Sequence, residues 1–121
     1  MLNPSLPHNH ADSHKAEFLK EQLLKTENFN TVAEVFKQLS DPSRTRIFWL
    51  LCHCEECVTN ISALVDMTSP AVSHHLRRLK ASGLVVSRRG GKEVYYTAAD
   101  TEQSRLLHLA IEKTMEISCP E

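Results

Sequence analysis

The feature that most restricts the fold is a change of period at Gly83. Before it, Val72, Leu76 and Leu79 recur at helical spacing, and Ser69-Pro70 offers a capping residue followed by a proline, a common helix start. Gly83 then ends that helix. After it, Leu84-Val85-Val86-Ser87 and Val94-Tyr95-Tyr96-Thr97 are rich in β-branched and aromatic residues and predict two strands. Residues 88–93 join them, with Gly90-Gly91 predicted as the turn of a hairpin whose tip is basic. A helix that feeds directly into a hairpin leaves few architectures open.

Upstream, Pro4 and Pro7 interrupt any helix, and His8, His10 and His14 cluster with Asp12, so residues 1–14 are predicted to be a flexible, histidine-containing arm on a domain of residues 15–119. Helices are expected over 16–25, where Phe18, Leu19 and Leu23 form a stripe, and over 31–39, where Val32, Val35, Phe36 and Leu39 fall on one face. Asp41-Pro42 caps and starts a third helix reaching about residue 52, with Ile47, Leu50 and Leu51 inward. A polar stretch at 53–56, a short helix at 60–65 and a turn at 66–68 lead to the helix that begins at Ser69. After the hairpin, residues 101–116 return to helix, with Leu106, Leu107, Ala110 and Ile111 inward. This order predicts a mostly α winged helix-turn-helix with a β-hairpin wing. With 121 residues the chain has a limited core, and burying a further helix face in a dimer would add to it.

The formal net charge of −1 does not mark a nucleic-acid binder. Local charge is different: between Ser69 and Glu93 stand Arg77, Arg78, Lys80, Arg88, Arg89 and Lys92, with Glu93 the single acid. That face serves equally as a DNA footprint or as a solvated surface. With Val72, Leu76 and Leu79 inward, Ser69, Ala71, Ser73, His74 and Arg77 lie on or near the outer face of a helix of a size to enter the major groove. His74 and His75 cannot both face outward, and His75 is expected to pack. Ser69 at the helix start suits a phosphate, and Arg88, Arg89 and Lys92 on the wing suit phosphate or minor groove. No nucleophile-and-base set and no phosphate-cradling glycine loop is present, so an enzyme is not expected.

No stretch is apolar enough to span a membrane, and residues 1–7 lack a basic start and an apolar signal core. A cytoplasmic protein is expected, with Cys52, Cys54, Cys57 and Cys119 as reduced thiols. A lone cysteine is most often a small buried apolar residue, and Cys52 at the end of an amphipathic helix fits that role as well as it fits ligation. Cys54 and Cys57, in a polar stretch, have less reason to be there as packing.

Three runs of text, residues 39–47 (LSDPSRTRI), 69–85 (SPAVSHHLRRLKASGLV) and 89–96 (RGGKEVYY), together with Glu56-Cys57-Val58, resemble the ArsR/SmtB family of metal-sensing repressors over roughly residues 30–115. The resemblance implies a homodimer formed through the first and last helices, an imperfect inverted repeat in double-stranded operator DNA, and repression relieved by a ligand. One family site joins the last helices with Asp and His ligands. Here Asp100 fits its first position, but Glu102, Lys113 and Glu116 occupy the others and His108 lies off the pattern, so a histidine-rich site there is not expected. Another family site uses cysteines near the start of the helix-turn-helix. Cys57 falls at its first position, Thr59 replaces the second, and Cys52 and Cys54 lie just upstream. Such thiolates select Cd(II), Pb(II), Zn(II) or As(III). Cys119 and the arm residues His8, His10 and His14 are candidates to complete the set. The alternatives are a thiol-redox or reactive-sulfur sensor joining Cys52 to Cys119, and a metal buffer, which would leave the basic helix and wing without a role.

Overall fold

The computed structural model describes residues 6–8, 10 and 13–118, which fall into two compact units divided between Glu34 and Val35. In the first unit, α1 (Ser13–Leu23) begins three residues earlier than expected, which places His14 on the helix. No proline or glycine stands between Ser13 and residue 16, so the helix can start ahead of the apolar stripe. Its stripe of Phe18, Leu19 and Leu23 remains exposed to solvent. The second helix, α2 (Thr26–Gln38), runs across the division between the units. Of its expected apolar face, Val35 and Leu39 pack on the core, while Val32 and Phe36 stay exposed.

The second unit starts its core at α3 (Pro42–Leu51), whose cap is the predicted Asp41: the carboxylate accepts from the Arg44 amide at 3.0 Å. The polar stretch that follows ends in a strand, β1 (Glu56–Cys57), too short to betray itself by alternation. The short helix α4 (Val58–Val65) starts directly after it and ends where Asp66 takes a left-handed φ of 56°. The helix α5 (Ser69–Ala81) is capped by Thr68, whose hydroxyl accepts from the Ala71 amide at 3.3 Å, so Ser69 is the first helical residue rather than the cap. Strands β2 (Val85–Gly90) and β3 (Glu93–Ala98) form the wing. Because Gly90 pairs with Glu93, the hairpin loop is Gly91-Lys92, one residue later than predicted, and Gly91 supplies the positive φ of 65°. The sheet order is β1-β3-β2, with Cys57 opposite Tyr95. The last helix is α6 (Glu102–Ser118).

Ile47, Phe48 and Leu51 of α3, Ile61 and Val65 of α4, Val72, Leu76 and Leu79 of α5, Leu84, Val85 and Leu107 make one buried cluster. The helix-turn-helix and the wing are thus fixed to the same core. Of the residues expected inward on α6, Leu107 is buried and Ile111 half-buried, while Leu106 and Ala110 face solvent. Among the described residues, no helix is long and apolar enough to cross a membrane.

A polar network threads this core. Arg44 is buried and donates from Nε to His75 Nδ1 at 3.3 Å, and from Nη1 to the Gln38 side-chain and main-chain oxygens at 3.2 and 3.4 Å. His75 Nδ1 therefore accepts, which requires the neutral imidazole. Burial holds the His75 pKa below its ordinary 6.5, with Asp41 opposing and Arg44 reinforcing the shift. The unfolded chain takes up this proton near 6.5 and the folded chain only at lower pH, so the contribution is present above 6.5 and lost as pH falls below it. Thermal melts on either side of 6.5 should show acid destabilisation that His75→Gln reduces; an unchanged pH slope in the variant would contradict this role.

Candidate nucleic-acid interface and ligand cluster

On α5 the helical period sorts the residues cleanly. Val72, His75, Leu76 and Leu79 are buried, Ala71 and Ser73 half-buried, and Ser69, His74 and Arg77 exposed. The start of this helix is tied to α4 by a hydrogen bond of 3.2 Å between the Ser62 and Ser69 hydroxyls. Its end is tied to the wing, where Lys80 Nζ donates to Ser87 Oγ at 2.7 Å. Helix and wing are thus joined by a side-chain bond as well as by the core they share.

The basic residues of the wing differ in their engagement. Arg88 donates to both Glu55 oxygens at 2.8 and 2.6 Å, and its guanidinium carbon stands 4.8 Å from the centre of the Tyr95 ring. Its hydrogen bonds hold the Glu55 carboxyl below the usual range. Nothing in the sequence pairs residues so far apart, and β1–β3 pairing is what carries the Glu55 segment to the wing. Arg89 and Lys92 are exposed, with Lys92 in the hairpin loop itself.

The thiols lie along the link between α3 and α4. Cys52 caps the end of α3 and is half-buried; burial, with the Glu112 charge adding to it, pushes its pKa up to about 11. Cys54 is half-buried, its thiol donates to the Leu50 carbonyl at 3.4 Å, and burial followed by the Glu56 charge raises its pKa. Cys57 is buried on β1 at the start of α4. All three are free thiols. In Cys52 and Cys54 an incoming ion must displace a proton that the fold holds firmly, so ion binding there releases protons and tightens with rising pH. Cys119 lies outside the described residues. In the N-terminal unit the rings of His8 and His10 stack with centroids 5.5 Å apart, and His14 is exposed on α1.

Along α6, Asp100 just before the helix pairs with Arg105 at 2.7 Å, and Lys113 pairs with Glu116 at 3.4 Å. A different group on this helix comes together. His53 Nε2, His108 Nε2 and Glu112 Oε1 form a triangle with edges of 3.2, 3.1 and 3.4 Å, and Trp49 Nε1 donates to the same Glu112 oxygen at 3.2 Å. Among the described residues this is the one group of three or more metal-ligating side chains. Its only trace in the sequence is the spacing of His108 and Glu112, one helical turn apart.

Helix, turn, outward-facing second helix and wing define a winged helix-turn-helix regulator of transcription. Residues 41–87 match the family model described as bacterial regulatory protein, arsR family. Over 105 residues the chain is 35% identical to the cadmium resistance transcriptional regulatory protein CadC homolog of Staphylococcus aureus, spanning 86% of each protein. It is 38% identical over 85 residues to the transcriptional repressor SmtB homolog of Synechocystis sp., covering 70% of this chain and 64% of that protein. A homodimeric winged helix-turn-helix DNA-binding domain from Mycobacterium bovis, a possible ArsR-family transcriptional regulator, superposes with a TM-score of 0.70 at 33% identity, over 77% of this chain and 86% of that one. The chain belongs to the ArsR family. These relatives are regulators of transcription.

Proposed function

We propose that this protein is a transcriptional repressor that binds an imperfect inverted repeat in operator DNA as a homodimer and releases it when a thiophilic ion, Cd(II), Pb(II), Zn(II) or As(III), binds through cysteine. The observation that carries the DNA half is that Ser69, His74 and Arg77 of α5 and Arg89 and Lys92 of the wing all stand exposed, with Lys80 of the helix bonded to Ser87 of the wing. Ser73 and Ala71 are half-buried on the same helix, and Arg88, already bonded to Glu55 through Nε and Nη2, has its remaining N–H groups to offer a phosphate. Dimerisation is supported by apolar side chains left exposed within each unit: Phe18, Leu19 and Leu23 on α1, and Leu106, Leu109 and Met115 on α6.

For the signal, Cys54 and Cys57 lie in the link that joins α3 to α4, so an ion held there pulls on the helix-turn-helix at its root. Cys52, Cys119 and the arm residues His8, His10 and His14 are the proposed completions of the ligand set. The relative in Staphylococcus aureus carries cadmium resistance in its name, which supports a thiophilic ion. A redox role for Cys52 is less well supported, because a thiol with its pKa at about 11 is a poor nucleophile at neutral pH.

Coupling of this kind is worth about 1–3 kcal/mol, or about 5–150-fold in operator affinity. Fluorescence anisotropy on operator DNA, with and without each ion, should show that loss for the native chain and not for Cys54→Ser/Cys57→Ser. An unchanged ion response in the double variant would mean that these two residues do not hold the ion.

A further inference from the structure

We propose that His53, His108 and Glu112 form a second ion site, built within one subunit and separate from the cysteines, for a divalent transition ion of intermediate softness such as Zn(II), Co(II) or Ni(II). Ligand atoms about 2.0–2.1 Å from a tetrahedral ion stand about 3.3 Å from one another. The three facing atoms here, His53 Nε2, His108 Nε2 and Glu112 Oε1, are separated by 3.2, 3.1 and 3.4 Å. They are the spacing of three corners of such a coordination shell, with the fourth corner left to water.

Protons do not satisfy this triangle. Each neutral imidazole brings at most one Nε2 hydrogen, and the carboxylate brings none. If both imidazoles donate to Glu112, the two ring nitrogens face each other as donors; if one donates to the other, a lone pair faces the carboxylate. A cation satisfies all three edges together. Two imidazoles and one carboxylate are the donor set such ions take.

The surroundings hold the ligands in place. Trp49 Nε1 donates to Glu112 Oε1 at 3.2 Å, using one lone pair and fixing the direction of the other. The Trp49 and His53 ring centres are 4.5 Å apart, and the His53 and His108 rings meet edge to face at 4.8 Å. His108 and Glu112 share one face of α6, and His53 follows the end of α3, so an ion staples the last helix to α3 at the end that leads through β1 into the helix-turn-helix. The site uses neither the cysteines nor Asp100, Glu102, Lys113 or Glu116.

Trp49 is the only tryptophan in the chain and lies against the ligands, which makes it the reporter. The full-length chain with all four cysteines changed to serine is titrated with Co(II), reading Trp49 fluorescence and the cobalt absorption, and then with Zn(II) in competition. One equivalent of Co(II) per chain is expected to quench Trp49 without a thiolate charge-transfer band, and Zn(II) is expected to reverse it. Loss of a merely supporting group around a metal costs about 10–100-fold in affinity, so His108→Gln and Glu112→Gln are each expected to weaken binding by at least about tenfold. The same titration of the chain with its cysteines intact is a second route: there His108→Gln should shift the quench to at least about tenfold higher Co(II) and leave any thiolate band unchanged. Co(II) affinity and quench unaltered by both substitutions, or no Co(II) binding by the folded serine variant, would overturn the proposal.

Discussion

Phe48→Ala is expected to lower the free energy of unfolding by about 3–5 kcal/mol. Phe48 has no exposed surface and is the largest of the fully buried side chains. It sits on α3 between Ile47 and Leu51, within the cluster that also takes Ile61, Leu76, Leu79 and Leu84. Neighbours from three helices and the start of the wing cannot all close on the space a phenyl ring leaves, so both the transfer loss and a cavity remain. Domains of this size have about 5–15 kcal/mol in total, so the variant should melt far below the native chain. Urea denaturation gives the value directly, and a loss of less than about 1 kcal/mol would mean that α3 does not anchor this core.

The second large effect concerns recognition. His74→Ala and Arg77→Ala should each cost about 1–3 kcal/mol in operator affinity and relax preference at the base pair each one faces. Neither should change the unfolding free energy noticeably, because both side chains are exposed on α5. Arg89→Ala and Lys92→Ala should instead weaken binding to all sequences alike and lower the salt dependence by about one phosphate contact each. Quantitative footprinting against operator and scrambled DNA separates the two patterns. Equal losses on both DNAs for Arg77→Ala would make it a phosphate contact rather than a base contact.

Much of this fold was legible because its signals are local. The Asp41-Pro42 start, the i, i+4 and i+7 spacing of Val72, Leu76 and Leu79, and the break at Gly83 each reside in a few adjacent residues. What was not legible depended on contacts across the chain. β1 exists only because Glu56 and Cys57 find Tyr96 and Tyr95 some forty residues later. Thr68 takes the cap from Ser69 because the turn before α5 sets which residue is the last extended one. Gly91-Lys92 takes the hairpin loop from Gly90-Gly91 because cross-strand register, fixed by the buried face, decides where the pairing ends. The site shows the same division. The outward set on α5 follows from helical period alone, whereas the pairing of Arg88 with Glu55 and the meeting of His53 with His108 and Glu112 are products of packing.

A dimeric repressor that an ion releases is tested most directly by DNase footprinting of the DNA upstream of the protein's own coding sequence, with protein titrated alone and then with Cd(II). The expected result is protection of two half-sites about one helical turn apart, steep loss of protection with salt, and release on adding Cd(II). Protection that is uniform along the fragment, or that persists unchanged at saturating Cd(II), would contradict it.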